Sequence, residues 1–322
     1  MRRLWRSRHR FPLDRRSVVI TGGSRGLGLL LAREFGRLGA TVAICSRTPS
    51  ELEKAAADLR GRGIRTHASV CDVTNPEQVR RFVDEVVAAT GRLDVLVNNA
   101  GVISMAPFAN TTLADFERSL ATHFWGPLHA ILAARPYLRR ARGRILNISS
   151  IGGRVSVPHL LPYCAGKFAL VGLSEGLRAE LAREGIVVTT ATPGLMRTGS
   201  HGRVRLRGRH SREAMFFAAA VATPLTSKNA GRAARAIVRA CREGRAHATP
   251  GIQARIAGIV NVVMPELSAG IASMAATHLL PGPAHAADGD RVLTGRDVGF
   301  SWLGPLLPES AARRNNEMPG TT

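Results

Sequence analysis

With 322 residues, 45% of them hydrophobic, the chain can bury a sizeable core, and its length suits one α/β domain of about 250 residues plus extensions. Four widely spaced cysteines (Cys45, Cys71, Cys164, Cys241) form no C-x-x-C pair, which argues against a disulfide framework or a cysteine metal site and for a reduced, cytoplasmic compartment. The net charge of +22 comes almost wholly from 42 arginines, concentrated at Arg2–Arg16 and Arg203–Arg212; no apolar core of signal-peptide length follows the first run.

Residues 17–22 read as a buried β-branched strand ending in glycine. Gly22, Ser24, Arg25, Gly26, Leu27 and Gly28 then form a glycine-rich turn into a helix reaching about Leu38. That is where backbone N–H groups can approach a dinucleotide pyrophosphate at a helix N-terminus. A second strand, 41–46, ends at Ser46-Arg47. No carboxylate stands there to hold a ribose 2′-hydroxyl, whereas Arg25 and Arg47 offer two guanidiniums to a 2′-phosphate, so NADP is expected over NAD. After a helix over 50–61 and a strand over 64–70 comes Asp72-Val73. Asp72 either accepts from an adenine amino group or caps the helix over 76–90. The fourth strand, 93–97, runs into Asn98-Asn99-Ala100-Gly101, and a long helical stretch covers 112–138.

A fifth strand, 144–149, leads through Ser149 and Ser150 to a helix carrying Tyr163 and Lys167. Four residues apart, phenol and ammonium share a helix face. The nearby charge is expected to pull the phenol down from its usual ~10, making Tyr163 a general acid or base. Only three lysines and two tyrosines occur in the chain, so this pairing stands out. A sixth strand, 186–191, ends in Thr192-Pro193-Gly194-Leu195-Met196-Arg197-Thr198. Strand and helix alternate six times, which implies a doubly wound, Rossmann-like parallel sheet, with ligands at the carboxyl ends of its strands. Residues 199–217 are expected to cover the substrate. Met215, Phe216 and Phe217 with Met105, Val157, Leu160, Leu161 and Met196 suggest an apolar pocket with a basic rim. A helix over 229–243 and a last strand near 246–249 follow. Residues 256–280 are apolar but broken by Pro265, which suggests helices against the body, a partner subunit or a membrane surface. Residues 282–322 read as a poorly ordered tail. The resulting division is a basic extension (1–16), a catalytic domain (17–250), an apolar helical extension (251–281) and the tail.

Thr21-Gly22-x-x-x-Gly26-x-Gly28, Asn98-Asn99-Ala100-Gly101, Ser150, Tyr163-x-x-x-Lys167 and Pro193-Gly194 with Thr198 occur in one order and spacing. In these the chain resembles the short-chain dehydrogenase/reductase family, from about Ser17 to Thr198. The resemblance implies that Tyr163 is the acid/base, that Lys167 binds the nicotinamide ribose and lowers the Tyr163 pKa, and that Ser150 orients the substrate oxygen. The cofactor set it implies is Gly22, Ser24, Arg25, Gly26, Leu27, Gly28, Ser46, Arg47, Asp72, Val73, Asn99, Ala100, Gly101, Pro193, Gly194, Met196 and Thr198 with Tyr163 and Lys167, and no metal. His123 stands where the family commonly carries a relay asparagine; it is expected to hold a water and to titrate near ~6.5. The expected activity is NADP-dependent hydride transfer on an apolar carbonyl or alcohol, in a homo-oligomer that binds no nucleic acid. Left open beside it are reduction of carrier-bound β-ketoacyl groups, with the 203–212 arginines docking an acidic carrier, a dinucleotide-binding scaffold with impaired turnover, and peripheral membrane association.

Overall fold

The computed structural model describes residues 10–222, 227–284 and 291–298. Most of the expected basic N-terminal run and of the expected tail lies outside those residues.

Seven parallel strands form the central sheet: β1 (Ser17–Thr21), β2 (Thr41–Ser46), β3 (Thr66–Val70), β4 (Val95–Asn98), then β6 (Arg144–Ile148), β7 (Val187–Ala191) and the two-residue β11 (His247–Ala248). Their order is β11-β7-β6-β4-β1-β2-β3. The chain reverses direction across the sheet between β1 and β4, where open α/β sheets bind ligands. Side chains alternate along each strand. Val18 and Ile20 of β1 pack with Val42 and Ile44 of β2 on one face, under α1 (Gly26–Arg37), α2 (Pro49–Gly61) and α8 (Ala230–Arg242). Val19, Ala43 and Cys45 face the other way, under α3 (Pro76–Thr90) and α5 (Gly126–Ala141). With both faces covered, the strands are continuously apolar rather than alternating with polar residues. Full burial of side chains such as Ile20, Ile44 and Leu96 contributes about 1.5–3 kcal/mol each.

Local chemistry sets the helix ends. Asn75 caps α3 by accepting from Gln78 N–H at 3.1 Å, Pro76 opens the helix, and Gly91 closes it at φ +72°. Asp72 therefore does not cap this helix; its Oδ1 accepts from Thr74 N–H and Oγ1 at 3.0 and 2.9 Å.

The expected single helix over 112–138 is interrupted. α4 (Leu113–Leu120) begins with a Thr112/Asp115 capping box, and Ala121–Trp125 forms a π turn before α5. Pro127 has no N–H for the α-helical bond to the His123 carbonyl, and the turn widens so that Gly126 N–H reaches Ala121 O. α6 (Leu161–Glu180) carries Tyr163 and Lys167.

Beyond the sheet, β8 (Leu195–Arg197) pairs with β10 (Ser227–Asn229), and β9 (Arg205–Leu206) lies between β5 (Ser104–Met105) and β12 (Leu293–Thr294). Residues 291–298, expected in the tail, thus supply a strand and a short helix, α11 (Gly295–Val298), that close against the segment before α7 (His210–Ala222). The apolar stretch forms two helices, α9 (Ile252–Val263) and α10 (Pro265–His278).

Candidate active site

The carboxyl ends of the strands flanking β1 open into one cavity of about 720 Å³. Gly22, Ser24, Arg25, Gly26, Leu27, Gly28, Ser46, Arg47, Asp72, Val73, Asn99, Ala100 and Gly101 all line it, as do His123, Ser150, Tyr163, Lys167, Pro193, Gly194, Met196 and Thr198. The catalytic and cofactor residues expected from the sequence are thus brought to one place.

At one end, the glycine turn is held by Asn99, whose Nδ2 donates to Thr21 O and Gly22 O, both at 3.0 Å. The Thr21 hydroxyl accepts from the backbone N–H of Asn99 and Ala100 at 3.0 and 3.2 Å. Two glycines admit no side chain here. Gly22 has φ +64° and a Cβ on it would lie 2.8 Å from Ala100 Cα; a Cβ on Gly28 would lie 2.2 Å from Gly22 O. This tight cradle at the N-terminus of α1 suits a pyrophosphate.

Beyond it lie the guanidiniums. Arg25 donates to Glu51 Oε2 at 2.6 Å, Arg203 hydrogen-bonds the other Glu51 oxygen, and Arg47 stands 3.8 Å from Asp72 Oδ2. Burial pushes the Glu51 carboxyl up, but Arg25 and Arg203 outweigh it and hold it below the usual carboxylate range. Sequence reasoning missed Glu51 and gave Arg203 to a carrier-docking run rather than to this end of the cavity. Glu51 sits in the first turn of α2, five residues past β2, beyond the position where an acidic residue was sought.

In the middle of the cavity, Ser149 and Ser150 take different tasks. The Ser149 hydroxyl is buried and donates to Lys167 O at 2.9 Å, so it braces α6. Ser150 Oγ accepts from Gly152 N–H at 3.1 Å and interacts with the Tyr163 phenol. Lys167 is 4% exposed, donates from Nζ to Ile148 O at 2.9 Å, and lies 5.8 Å from the Tyr163 ring centre. The expected electrostatics are reversed. Burial pushes the Tyr163 phenol up to about 12, against the opposing pull of Ser150, and burial pushes the Lys167 ammonium down to about 7. The i,i+4 spacing is as expected, but removal of both groups from water outweighs their attraction. A lysine that is half neutral near pH 7 has little charge to lend a resting phenol.

His123 is fully buried behind Tyr163, ring edge to ring face, with centroids 5.4 Å apart. Its Nε2 accepts from Val102 N–H at 3.2 Å, which places the proton on Nδ1, facing Ser119 Oγ at 3.1 Å; that hydroxyl donates to Pro162 O at 2.5 Å. Gly101 and Gly166 make room for the imidazole, since a Cβ on either would come within 3.1 Å of a ring nitrogen. Both expectations for this side chain need correcting. Neither ring nitrogen is left to hold a water, and burial, then Lys167, keeps the imidazole neutral well below its ordinary pKa. His123 ties the loop after β4 to the start of α6. His123→Leu should therefore cost about 1–3 kcal/mol in denaturant unfolding, by stranding the Val102 N–H and removing the donor to Ser119 Oγ. His123→Asn, with one acceptor and one donor, should recover most of it. Equal stability of parent and leucine variant would contradict this role.

The far end of the cavity is apolar, walled by Met105, Val157, Leu160, Met196, Phe216 and Phe217. Leu161 is not part of this wall, and Met215 is 41% exposed on the outer side of α7. α7 is clipped over the site by Glu213, fully buried, whose oxygens lie 2.8 and 3.0 Å from His159 Nδ1. Part of the basic rim is already engaged: besides Arg203, Arg207 lies 3.1 Å from Asp115, while Arg209 and Arg212 are exposed.

The family model for short chain dehydrogenases matches residues 16–207. A Streptomyces violaceoruber protein named granaticin polyketide synthase putative ketoacyl reductase 1 is 38% identical over 191 residues, which are 58% of this chain and 70% of that one. An 11-beta-hydroxysteroid dehydrogenase-like protein of Arabidopsis thaliana, 4A, is 32% identical over 252 residues, covering 78% and 81%. Among solved structures, a variant of actinorhodin polyketide ketoreductase with NADPH aligns with a TM-score of 0.55 at 34% identity, over 56% of this chain and 70% of the other. An alcohol dehydrogenase from Thermococcus sibiricus complexed with 5-hydroxy-NADP aligns with a TM-score of 0.54 at 27% identity, over 57% and 77%.

Proposed function

Because the chain belongs to the short-chain dehydrogenase/reductase family, oxidoreductases of CH–OH and C=O groups, we propose that it is an NADP-dependent reductase of an apolar ketone or aldehyde. One observation carries this reading: a single cavity has the glycine cradle at one end, Ser150, Tyr163 and Lys167 in the middle, and an apolar wall beyond them.

The glycine turn would hold the pyrophosphate, Lys167 and the Asn99–Gly101 backbone the nicotinamide ribose, and Arg25, Arg47 and Arg203 the 2′-phosphate. When bound, the dinucleotide supplies the hydride. Ser150 holds the substrate oxygen against Tyr163. A phenol pushed up to about 12 is protonated at neutral pH, so in the resting site Tyr163 holds the proton that the substrate oxygen takes up in reduction. As its proton passes to the oxygen that gains charge, a phenolate forms beside Lys167. The ammonium form of Lys167 stabilises that phenolate, and the two groups titrate as a pair.

Cofactor preference tests the 2′-phosphate reading. Three guanidiniums face two carboxylates at that end of the cavity, among the described residues. An arginine–phosphate contact contributes about 1.5–3 kcal/mol, so kcat/KM should favour NADPH over NADH by at least about tenfold. The Arg25→Ala/Arg47→Ala double variant should lose that preference. Glu51→Gln should raise it, by removing the carboxylate that competes for Arg25 and Arg203. Equal kcat/KM with both cofactors in the parent would refute the assignment.

A second reading, reduction of a carrier-bound β-ketoacyl group, draws on the names of the ketoacyl reductases to which the chain is similar. Of the 203–212 arginines, Arg203 and Arg207 are already paired with Glu51 and Asp115, which leaves the exposed Arg209 and Arg212 for carrier docking. Comparing free ketones with a β-ketoacyl thioester separates the two readings. A scaffold without turnover would be expected to lack part of the catalytic group, and Ser150, Tyr163 and Lys167 are all present.

A further inference from the structure

We propose that the helix pair α9–α10 is a membrane-surface anchor, which holds the side of the cavity at Ile151 and Gly194 near a bilayer carrying anionic headgroups. The pair is apolar where a water-facing helix should be polar. Ile256, Ile259, Val262, Leu267, Ile271 and Met274 are 47–78% exposed, no residue of α10 is buried, and only Ala254 of α9 is. The large side chains recur at helical spacing (Ile252, Ile256, Ile259 and Val263; Leu267, Ile271 and Met274), so each helix carries an apolar stripe directed away from the body. Contiguous exposed apolar surface on this scale marks an interaction site.

The geometry favours lying on the bilayer over crossing it. Among the described residues no single helix is long and apolar enough to span a membrane, and α9 and α10 bend by 118° at Met264–Pro265. With 12 and 14 residues they reach only about 18 and about 21 Å, against the ~30 Å of a hydrocarbon core. Such helices bury their apolar faces at the headgroup boundary.

Charge selects the occupant. On the pair itself Arg255 and Glu266 balance, so the selection is long-range: two chains of net charge +22 repel each other, whereas anionic headgroups attract such a chain. Arg255, on α9 itself, is exposed at the edge of the stripe. The pair also abuts the site. Ala254 packs toward Gly194, Gly258 lies over Ile151, and Asn261 Nδ2 donates to Arg154 O at 3.0 Å. Gly194 and Ile151 both line the cavity. An anchor here would hold the cavity wall at Ile151 and Gly194, next to Ser150, close to the bilayer from which a dissolved carbonyl compound could come. The anchor itself needs no assumption about the cofactor.

Vesicle flotation of the full chain tests this. The parent should float with phosphatidylcholine vesicles containing about one-third phosphatidylglycerol, and bind pure phosphatidylcholine more weakly. In 0.5 M NaCl the headgroup contribution should shrink while a salt-resistant apolar part remains. Ile259→Glu/Ile271→Glu, at exposed positions that do not line the cavity, should lower partitioning at least about tenfold with NADPH affinity unchanged. A parent that stays in solution, or a double variant that floats equally well, would overturn the proposal. So would a lipid-free dimer that the double variant dissociates while the parent ignores vesicles, which would assign the face to a second copy.

Discussion

Replacing Tyr163 with phenylalanine should slow carbonyl reduction by about 10²- to 10⁴-fold, the range for loss of a positioned general acid. NADPH affinity and thermal stability should barely move. The ring keeps its edge-to-face contact with His123, and the atom removed is the one that meets Ser150 and the substrate. The loss should fall on kcat, because the phenolic proton moves only in the chemical step. Single-turnover kinetics with saturating NADPH would read it directly. A variant within tenfold of the parent would remove Tyr163 from the proton's path.

Lys167→Met should cost a comparable factor, and differently. Its ammonium is buried against Ile148 O and stands over the Tyr163 ring, so the variant should weaken NADPH binding as well as turnover. The pH profile carries the sharper signature. Burial pushes Lys167 down to about 7, so it is cationic below that pH and neutral above it. The phenolate formed as Tyr163 donates its proton is stabilised only by the cationic form. Reduction should therefore fall by up to about tenfold per pH unit above the break near 7, and Lys167→Met should abolish the break. Lys167→Arg should not restore activity, since a planar, permanently charged guanidinium does not fit a site cut for an ammonium. A flat parent profile from about pH 6 to about pH 9 would contradict the role given to Lys167.

How far the sequence could be read follows from which interactions are local. Strands such as Ser17–Thr21 and Thr41–Ser46 announce themselves as β-branched runs, and each ends in residues unsuited to a buried strand. Since parallel sheets place ligands at those ends, the glycine turn, Asn99 and Tyr163 could be assigned to one cavity before any coordinates. Some short-range chemistry was present but went unread: the interruption before α5 is written in Pro127, yet 112–138 was expected as one helical stretch. What stayed hidden depends on partners distant in sequence or on burial. Arg25 meets Glu51 26 residues away, and Glu51 meets Arg203 across 152. The direction of the Tyr163 shift turned on desolvation, which spacing along a helix does not reveal. His123 looked like a water-holder because its partners, Val102 N–H and Ser119, come from a loop and from the preceding helical turn. Residues 291–298 carry too little pattern to show that they pair with β9.

The central claim, NADPH-dependent reduction of an apolar carbonyl at Tyr163, is tested most directly by isotope transfer. The enzyme is incubated with NADPH deuterated at the transferable nicotinamide position and a panel of apolar ketones and aldehydes, and the alcohols are weighed by mass spectrometry. The account predicts an alcohol carrying a single deuterium on its carbinol carbon, formed by the parent and lost in Tyr163→Phe. Deuterium transfer that persists undiminished in Tyr163→Phe would contradict it, as would NADPH binding with no label reaching any member of the panel.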